Sequence, residues 1–269
     1  MRRKYLLFVL TMVISVISLS GCGSVKEADL KKPVENYLDE RYGFKEPFKF
    51  LTWDDNWFEG IDHQTAIEIG KPYHATAYIM LERDTYKIAE ERSDNVFFEL
   101  YKGAYIEQHP EVMKVTEQLI DKYDLMKKSA SEYDKMKGNY YYYLNVNLNT
   151  KQADELIDTF RGTQKIDTLN SLPDMSDPLS KEGNRYRGVI NFNFDFNIYK
   201  QDKDVPQAED IVNDFEKSHV LTEGLYCISV HTIEVHDKGV SQGMDPRNSN
   251  VRFKVDKNGE FKNISVLEE

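Results

Sequence analysis

Apolar and polar residues alternate without a fault in the segment INFNFDFNIY, from Ile190 to Tyr199. A period of two predicts a β-strand with one buried face. The other face is unusual, because Asn and Asp are poor strand formers and a plain solvent face more often carries Thr, Lys or Glu. The polar positions are Asn191, Asn193, Asp195 and Asn197.

The segment YYYYLNVNLN, which ends at Asn149, has the same alternation. Its apolar residues Leu144, Val146 and Leu148 face one way, and Tyr141, Tyr143, Asn145, Asn147 and Asn149 face the other. Both segments precede a helical pattern, QADELIDTF from Gln152 and QAEDIVNDF from Gln207, with apolar residues at i, i+3, i+4 and i+7. The repeat predicts a duplicated strand-helix unit with a spacing of 55 residues, 207 minus 152. Two unrelated amphipathic helices would share the same pattern, and this alternative stays open.

The two polar rows would form one patch if their strands pair. Plain solvent exposure, burial with hydrogen-bonded amides, and a ligand-binding surface are the three interpretations. Amides donate and accept hydrogen bonds and phenol rings stack, which suits sugars and peptides. The candidate ligand face therefore consists of Tyr141, Tyr143, Asn145, Asn147, Asn149, Asn191, Asn193, Asp195 and Asn197.

The remaining patterns complete an α+β prediction: a mostly antiparallel sheet with amphipathic helices packed on one face. We predict helices from Pro33 to Gly43 and from Pro110 to Met126. The segments YHATAYIMLER and NVFFELYKGAYI are interpreted as strands. A hairpin is expected at 256–259, and the Pro- and Gly-containing stretch 162–188 is the expected subdomain boundary.

The first residues have the order of an export signal. Arg2, Arg3 and Lys4 precede an apolar run too short to cross a bilayer comfortably, and Leu19-Ser20-Gly21-Cys22 follows. These residues resemble the signal peptide and lipobox of bacterial lipoproteins, and the composition resembles those of low-GC Gram-positive bacteria. The resemblance implies cleavage before Cys22 and a diacylglycerol on its sulfur. The expected layout is a signal at 1–21, a tether at 22–32 and a globular region at 33–269.

The charge and cysteine content of the chain limit the kinds of partner that it is expected to bind. Removal of the signal takes away three of 35 basic residues and none of 46 acidic ones, which leaves 32 against 46, a net charge of −14. Such a chain should repel nucleic acid and anionic headgroups, so the expected membrane partner is reached through the lipid anchor. With Cys22 lipidated, only Cys227 of the two cysteines remains, and no internal disulfide is expected.

A second candidate site is the segment WDDNW, with Trp53 and Trp57 around Asp54 and Asp55. Rings beside carboxylates could stack a sugar, or the two acids could hydrolyse a glycan, although neighbouring strand residues point oppositely. A plain loop with buried tryptophans explains the same pattern. The histidines have no metal-ligand spacing and no nucleophile motif occurs, so we expect no metal and no cofactor.

The sequence thus predicts a lipid-anchored, extracytoplasmic protein at the cell membrane. Its expected role is that of a non-enzymatic binding module of the cell envelope. A glycan hydrolase that uses Asp54 and Asp55 is the alternative, and a transport solute receptor ranks below it.

Overall fold

The computed structural model describes residues 25–55, 62–148, 150–170, 172, 189–199, 204–236, 239–242 and 246–266. The helices are α1 (Glu27–Tyr42), α2 (Val96–Gln108), α3 (Pro110–Lys122), α4 (Glu132–Met136), α5 (Thr150–Thr163) and α6 (Ala208–Ser218). The strands are β1 (Phe48–Asp55), β2 (His63–Ile69), β3 (Ala75–Leu81), β4 (Leu144–Val146), β5 (Ile190–Asn197), β6 (Gly224–His236), β7 (Gly239–Gln242), β8 (Ser249–Val255) and β9 (Phe261–Val266).

The strands form two sheets. The first has the order β1-β2-β3 and is antiparallel. The second has the order β4-β5-β6-β8-β9, with β7 paired to one end of β6. Its single parallel pair among the described strands is β5 with β6, which α6 connects. The predicted α+β class with mostly antiparallel pairing is confirmed.

Helix α2 joins the two sheets into one core, because it contacts both β3 and β4. Its buried residues include Val96, Phe97, Leu100, Tyr101, Ala104 and Tyr105. The helix also approaches the backbone before β3 so closely that a Cβ on Gly103 would lie 2.2 Å from the carbonyl oxygen of His74. One contiguous hydrophobic cluster therefore includes residues of both sheets.

The strand predicted for NVFFELYKGAYI is wrong, because these residues belong to α2. Three buried pairs, Val96/Phe97, Leu100/Tyr101 and Ala104/Tyr105, lie four residues apart as on one side of a helix, and Lys102 and Gly103 between them are buried as well. Asn95 caps it, since the Asn95 side chain accepts a hydrogen bond from the backbone N–H of Phe97 at 3.1 Å. The helix is buried along most of its sides, so its sequence is apolar enough to resemble a buried strand.

Helix α1 begins at Glu27, earlier than the predicted start at Pro33. Val25 and Leu30 are both buried, so these residues of the predicted tether belong to the fold. The predicted end is confirmed: Gly43 follows the helix with φ 63° and closes it by donating to the carbonyl of Asp39.

The two predicted strand-helix segments both contain a strand and a helix, β4 with α5 and β5 with α6. Strands β4 and β5 are antiparallel neighbours, with Asn145 opposite Asn191. Helix α6 covers the apolar face, where Phe215 lies 5.2 Å from the Phe192 ring. Helix α5 instead packs against α1 and reaches α2 through Phe160, whose ring lies 5.8 Å from that of Phe97 between centroids. The expectation that both helices cover the sheet was therefore wrong for α5, and its different position opens the groove described next.

Candidate functional site

A cavity of about 660 Å³ lies between α2, α5 and the chain that follows α5. We call it the α2–α5 groove. Its floor is apolar, since Phe97, Tyr101 and Ile166 are buried and Leu156 is half-buried. The volume is in the range of small-molecule sites in proteins. The lining residues are Phe97, Tyr101, Gln152, Glu155, Leu156, Thr159, Thr163, Lys165, Ile166, Asp167 and Asn170.

Helix α5 presents one long side to the groove. Its lining residues from Gln152 to Thr163 follow successive turns of one face, which spans roughly 16 Å at about 1.5 Å per residue. The hydroxyls of Thr159 and Thr163 donate to carbonyls one turn earlier, at 2.9 and 2.8 Å. The hydroxyl protons of both threonines are therefore already engaged in hydrogen bonds within the helix.

The opposite wall is the segment 164–170, which side chains of α2 and the β2–β3 loop hold in place. Gln108 donates to the carbonyl of Ile166 and accepts from the backbone N–H of Thr168, both at 2.8 Å. The Tyr73 hydroxyl donates to the same Ile166 carbonyl at 3.0 Å and accepts from its N–H at 2.9 Å. His109 donates from Nε2 to the carbonyl of Thr168 at 3.0 Å. The first part of the predicted boundary 162–188 is thus a fixed wall, and 173–188 lies outside the described residues.

Tyr101 is the polar group in the floor. Its side chain is 1% exposed, and its hydroxyl has no hydrogen-bond partner. Burial raises the pKa of this phenol, and Tyr226 and Asp167 raise it further, so the hydroxyl keeps its proton. Tyr105, one turn along α2, is also buried, and its hydroxyl lies beside that of Tyr226 and does not line the groove. Buried polar groups in proteins are usually hydrogen-bonded, so the Tyr101 hydroxyl is an exception.

The rim carries charges of both signs. Asp167 is fixed by a local turn, because its carboxylate accepts from the backbone N–H of Leu169 at 3.0 Å and from the side chain of Asn170. These hydrogen bonds lower the pKa of Asp167, the one from Asn170 most. Glu155 and Lys165 are the other charged lining residues. The described rim therefore has a net charge of −1, from two carboxylates and one ammonium.

No family model, curated protein or solved structure matches this chain. Within the described ranges, no helix is long and apolar enough to cross a membrane. The same residues contain no group of three or more His, Cys, Asp or Glu placed to hold a metal ion.

The predicted amide row on β5 is partly buried. Asn191 is 3% exposed, while Asn193, Asp195 and Asn197 are half-buried. Asn197 has a structural role, since its side-chain oxygen accepts from the backbone N–H groups of Tyr199 and Val235 at 3.0 and 3.1 Å. Burial raises the pKa of Asp195 to about 6, with a smaller contribution from the charge of Asp134. The interpretation that the whole row is simply exposed to solvent is therefore wrong.

The predicted polar row on the segment that contains β4 is only partly present in the structure. Asn145 is exposed and Asn147 half-buried, whereas the side chain of Asn149 lies outside the described residues. Tyr143 faces the core instead of joining the amides, because its ring stacks on Phe194 at 5.7 Å. The predicted alternation fails there because residues before Leu144 form turns, with Tyr141 half-buried at φ 40°. The structure thus brings Asn145 next to Asn191 but separates Tyr143 from both.

The predicted aromatic site falls on β1, the outer strand of the first sheet. Trp53 is 40% exposed and contacts Phe50 at 6.3 Å, and a register shift between Phe50 and Thr52 lets both rings lie on one side. Asp54 is exposed. The side chain of Asp55 and all of Trp57 lie outside the described residues, so the pairing of the two acids is not described.

A buried charge cluster that the sequence did not indicate lies on the other side of α2. Lys137 is 7% exposed at its side chain and lies 2.7 Å from Asp94 and 2.8 Å from Glu99. Burial opposes its charge, but Glu99 and Asp94 raise its pKa above the usual value. Lys102 lies 3.9 Å from Glu99, and burial lowers the pKa of Lys102 to about 8. The cluster holds the region of α4 against α2.

Proposed function

We propose that this chain is a membrane-anchored, extracytoplasmic lipoprotein that binds a ligand in the α2–α5 groove without covalent chemistry. The anchor is the lipid on Cys22, inferred from the lipobox resemblance. The single observation that carries the binding role is the groove itself. Its floor is apolar, and hydrogen bonds of the Gln108 side chain hold its opposite wall in place.

The groove favours binding over hydrolysis. A glycan hydrolase needs one carboxyl group that is held protonated as a general acid. Asp167 is a fixed anion with a lowered pKa, because its oxygens accept hydrogen bonds from Leu169 and Asn170. The Thr159 and Thr163 hydroxyls donate to the helix backbone, which does not activate them as nucleophiles. The hydrolase hypothesis on Asp54 and Asp55 and the transport-receptor hypothesis gain no comparable support from the described residues.

The binding role can be tested by filling the groove. Leu156→Trp adds an indole to the half-buried floor, whereas Asp158→Trp adds the same group to an exposed position of the same helix. A chain from Gly23 to Glu269, which lacks the proposed signal and Cys22, is used for this test. We expect the neutral dye N-phenyl-1-naphthylamine to bind the parent chain and Asp158→Trp, and to lose at least about tenfold in affinity for Leu156→Trp.

Two results would contradict the binding role. One is an absence of dye binding to the parent chain, and the other is equal affinity of the two Trp variants. Thermal unfolding of each variant shows that the comparison is made between folded proteins.

The anchor has a separate test. Cys22→Ala should abolish incorporation of radiolabelled fatty acid into the full chain expressed in a Gram-positive host. Labelling that persists in Cys22→Ala would refute the lipobox assignment and leave the groove proposal standing.

A further inference from the structure

We infer that the folded body of this protein lies directly on the membrane, with the first turn of α1 at the level of the lipid headgroups. The start of α1 is thus an interaction surface, and its partner is the bilayer. The inference rests on the proposed lipid anchor on Cys22. It replaces the expected tether at 22–32, which would hold the fold away from the membrane.

The described core reaches to within three residues of Cys22, 25 minus 22. Val25 is 7% exposed and Leu30 is fully buried, so the chain is already packed against the protein at residue 25. A chain of three residues spans at most about 11 Å in any conformation, whereas the expected tether could reach roughly 35 Å. A lipid on Cys22 therefore keeps the beginning of the fold within about 11 Å of the lipidated residue.

Helix α1 is fixed at both ends, so it does not act as a hinge between the anchor and the fold. At its start, the Asp29 carboxylate accepts from the backbone N–H of Lys26 at 3.1 Å, which closes the first turn. At its end, the Gln164 side chain donates to the carbonyl of Tyr42 at 3.2 Å. Buried side chains recur every four residues between these two ends, from Leu30 to Tyr42. An anchor next to the first turn therefore positions the whole folded body.

The exposed side chains at the start of α1 suit the headgroup layer and not the hydrocarbon layer. Among the described residues, the large apolar side chains that are exposed all lie outside this helix. The exposed charged residues of the first turns give a net charge of +1, three lysines against two acids, compared with −14 for the proposed mature chain. Anionic headgroups therefore repel this end less than they repel the chain as a whole. The residues are Lys26, Glu27, Asp29, Lys31 and Lys32.

The experiment measures how close the first turn of α1 lies to the headgroups. The full chain is lipidated in a Gram-positive host and reconstituted into phosphatidylcholine vesicles that contain rhodamine-labelled phosphatidylethanolamine as an energy acceptor. Ala28→Cys, at an exposed position of the first turn, carries a fluorescein donor. Cys227 is buried, and the parent chain serves as the control that it does not take up the donor.

Two matched variants carry the same insert at different points of the expected tether. The insert consists of about forty Gly and Ser residues, with an r.m.s. span of roughly 35 Å. Between Ser24 and Val25 it should leave the melting temperature in detergent unchanged and lower the energy transfer from position 28 at least about threefold, because the body is then released from the surface. Between Lys32 and Pro33 it interrupts α1 and should lower the melting temperature by at least about 5 °C.

Strong transfer in the lipidated Ala28→Cys chain that falls with the insert after Ser24 supports the membrane contact. Equal transfer with and without this insert, or weak transfer without it, overturns the inference. Quenching of the donor by lipids with a nitroxide on the acyl chain also overturns it, because the first turn would then lie in the hydrocarbon layer. Equal melting temperatures for the two insertion variants would show that the fold does not begin before Pro33.

Mass spectrometry of the purified chain separates failure of the anchor from failure of the contact. A chain whose Cys22 carries no lipid refutes the proposed anchor, and the membrane contact with it. A lipidated chain with weak transfer refutes the membrane contact alone.

Discussion

Asp195 should make the stability of this protein fall as the pH rises from acid to neutral. Its carboxyl group lies half-buried on β5, opposite His231 of β6 and near the negative charge of Asp134. Burial is the larger cause and Asp134 the smaller one, and together they raise the pKa of Asp195 from 3.8 to about 6. The folded protein therefore holds this proton more tightly than the unfolded chain does.

The size and sign of the effect follow from linkage. A shift from 3.8 to about 6 corresponds to roughly 3 kcal/mol at 1.36 kcal/mol per pH unit, and partial exposure of the group makes about 2 kcal/mol a realistic value. Because the folded pKa is raised, this stability is fully present below pH 3.8 and is lost as the pH rises through about 6. The Asn side chain of Asp195→Asn cannot ionise, so this variant should not show the pH-dependent loss of stability.

The assay is urea unfolding of both proteins between about pH 4 and pH 8, with the free energy extrapolated to water. The stability of Asp195→Asn relative to the parent chain should increase by about 2 kcal/mol across this range, whatever its offset at low pH. Asp134→Asn should reproduce a smaller part of the increase. A carbon-detected NMR titration of Asp195 should have its midpoint near 6. Parallel stability curves for the parent and Asp195→Asn, or a midpoint near 4, would refute the reasoning.

Three further substitutions test the packing. Gly103→Ala would place a Cβ 2.2 Å from the His74 carbonyl oxygen and should destabilise the fold by about 3 kcal/mol; unchanged urea unfolding would show that α2 and the β2–β3 loop do not lie this close. Lys137→Met leaves Asp94 and Glu99 without their shared cation and should lower the free energy of unfolding by about 3–5 kcal/mol, whereas a loss below about 1 kcal/mol would contradict a buried cluster. Asn197→Thr forfeits its contacts to two backbone N–H groups and should cost about 1–2 kcal/mol, with Asn193→Thr near neutral; equal melting temperatures for the two variants would argue against the structural role of Asn197.

Local patterns predicted the elements that have one buried face. The i, i+3, i+4, i+7 spacing located α5 and α6, the faultless alternation located β5, and Gly43 marked the end of α1. Helix α2 was not predicted because it is buried between two sheets. Apolar residues therefore occur on most of its sides, and the sequence shows no clear helical period of apolar and polar residues. A buried helix and a buried strand of this length differ little in composition.

The groove could not be read from the sequence, because its parts are distant along the chain. Tyr101, Leu156 and Ile166 meet only after α5 packs on α2. Gln108 fixes a wall whose backbone lies 58 residues further on, and nothing near Gln108 in the sequence signals that contact. The amide row was visible as a pattern, but alternation does not reveal which layer lies over a strand. Burial of Asn191 therefore required the structure.

Strand β1 has a consequence for how molecules of this protein behave when they are crowded together. Within the described part of the first sheet it pairs only with β2, so its outer backbone groups form an edge that another strand could extend. The register shift between Phe50 and Thr52 interrupts the regular spacing of those groups. Lys49, whose side chain is 81% exposed, adds a charge that a second copy of the edge would have to bury or repel. Irregularity and charge on this edge strand thus protect the protein against edge-to-edge aggregation while leaving Trp53 in contact with solvent.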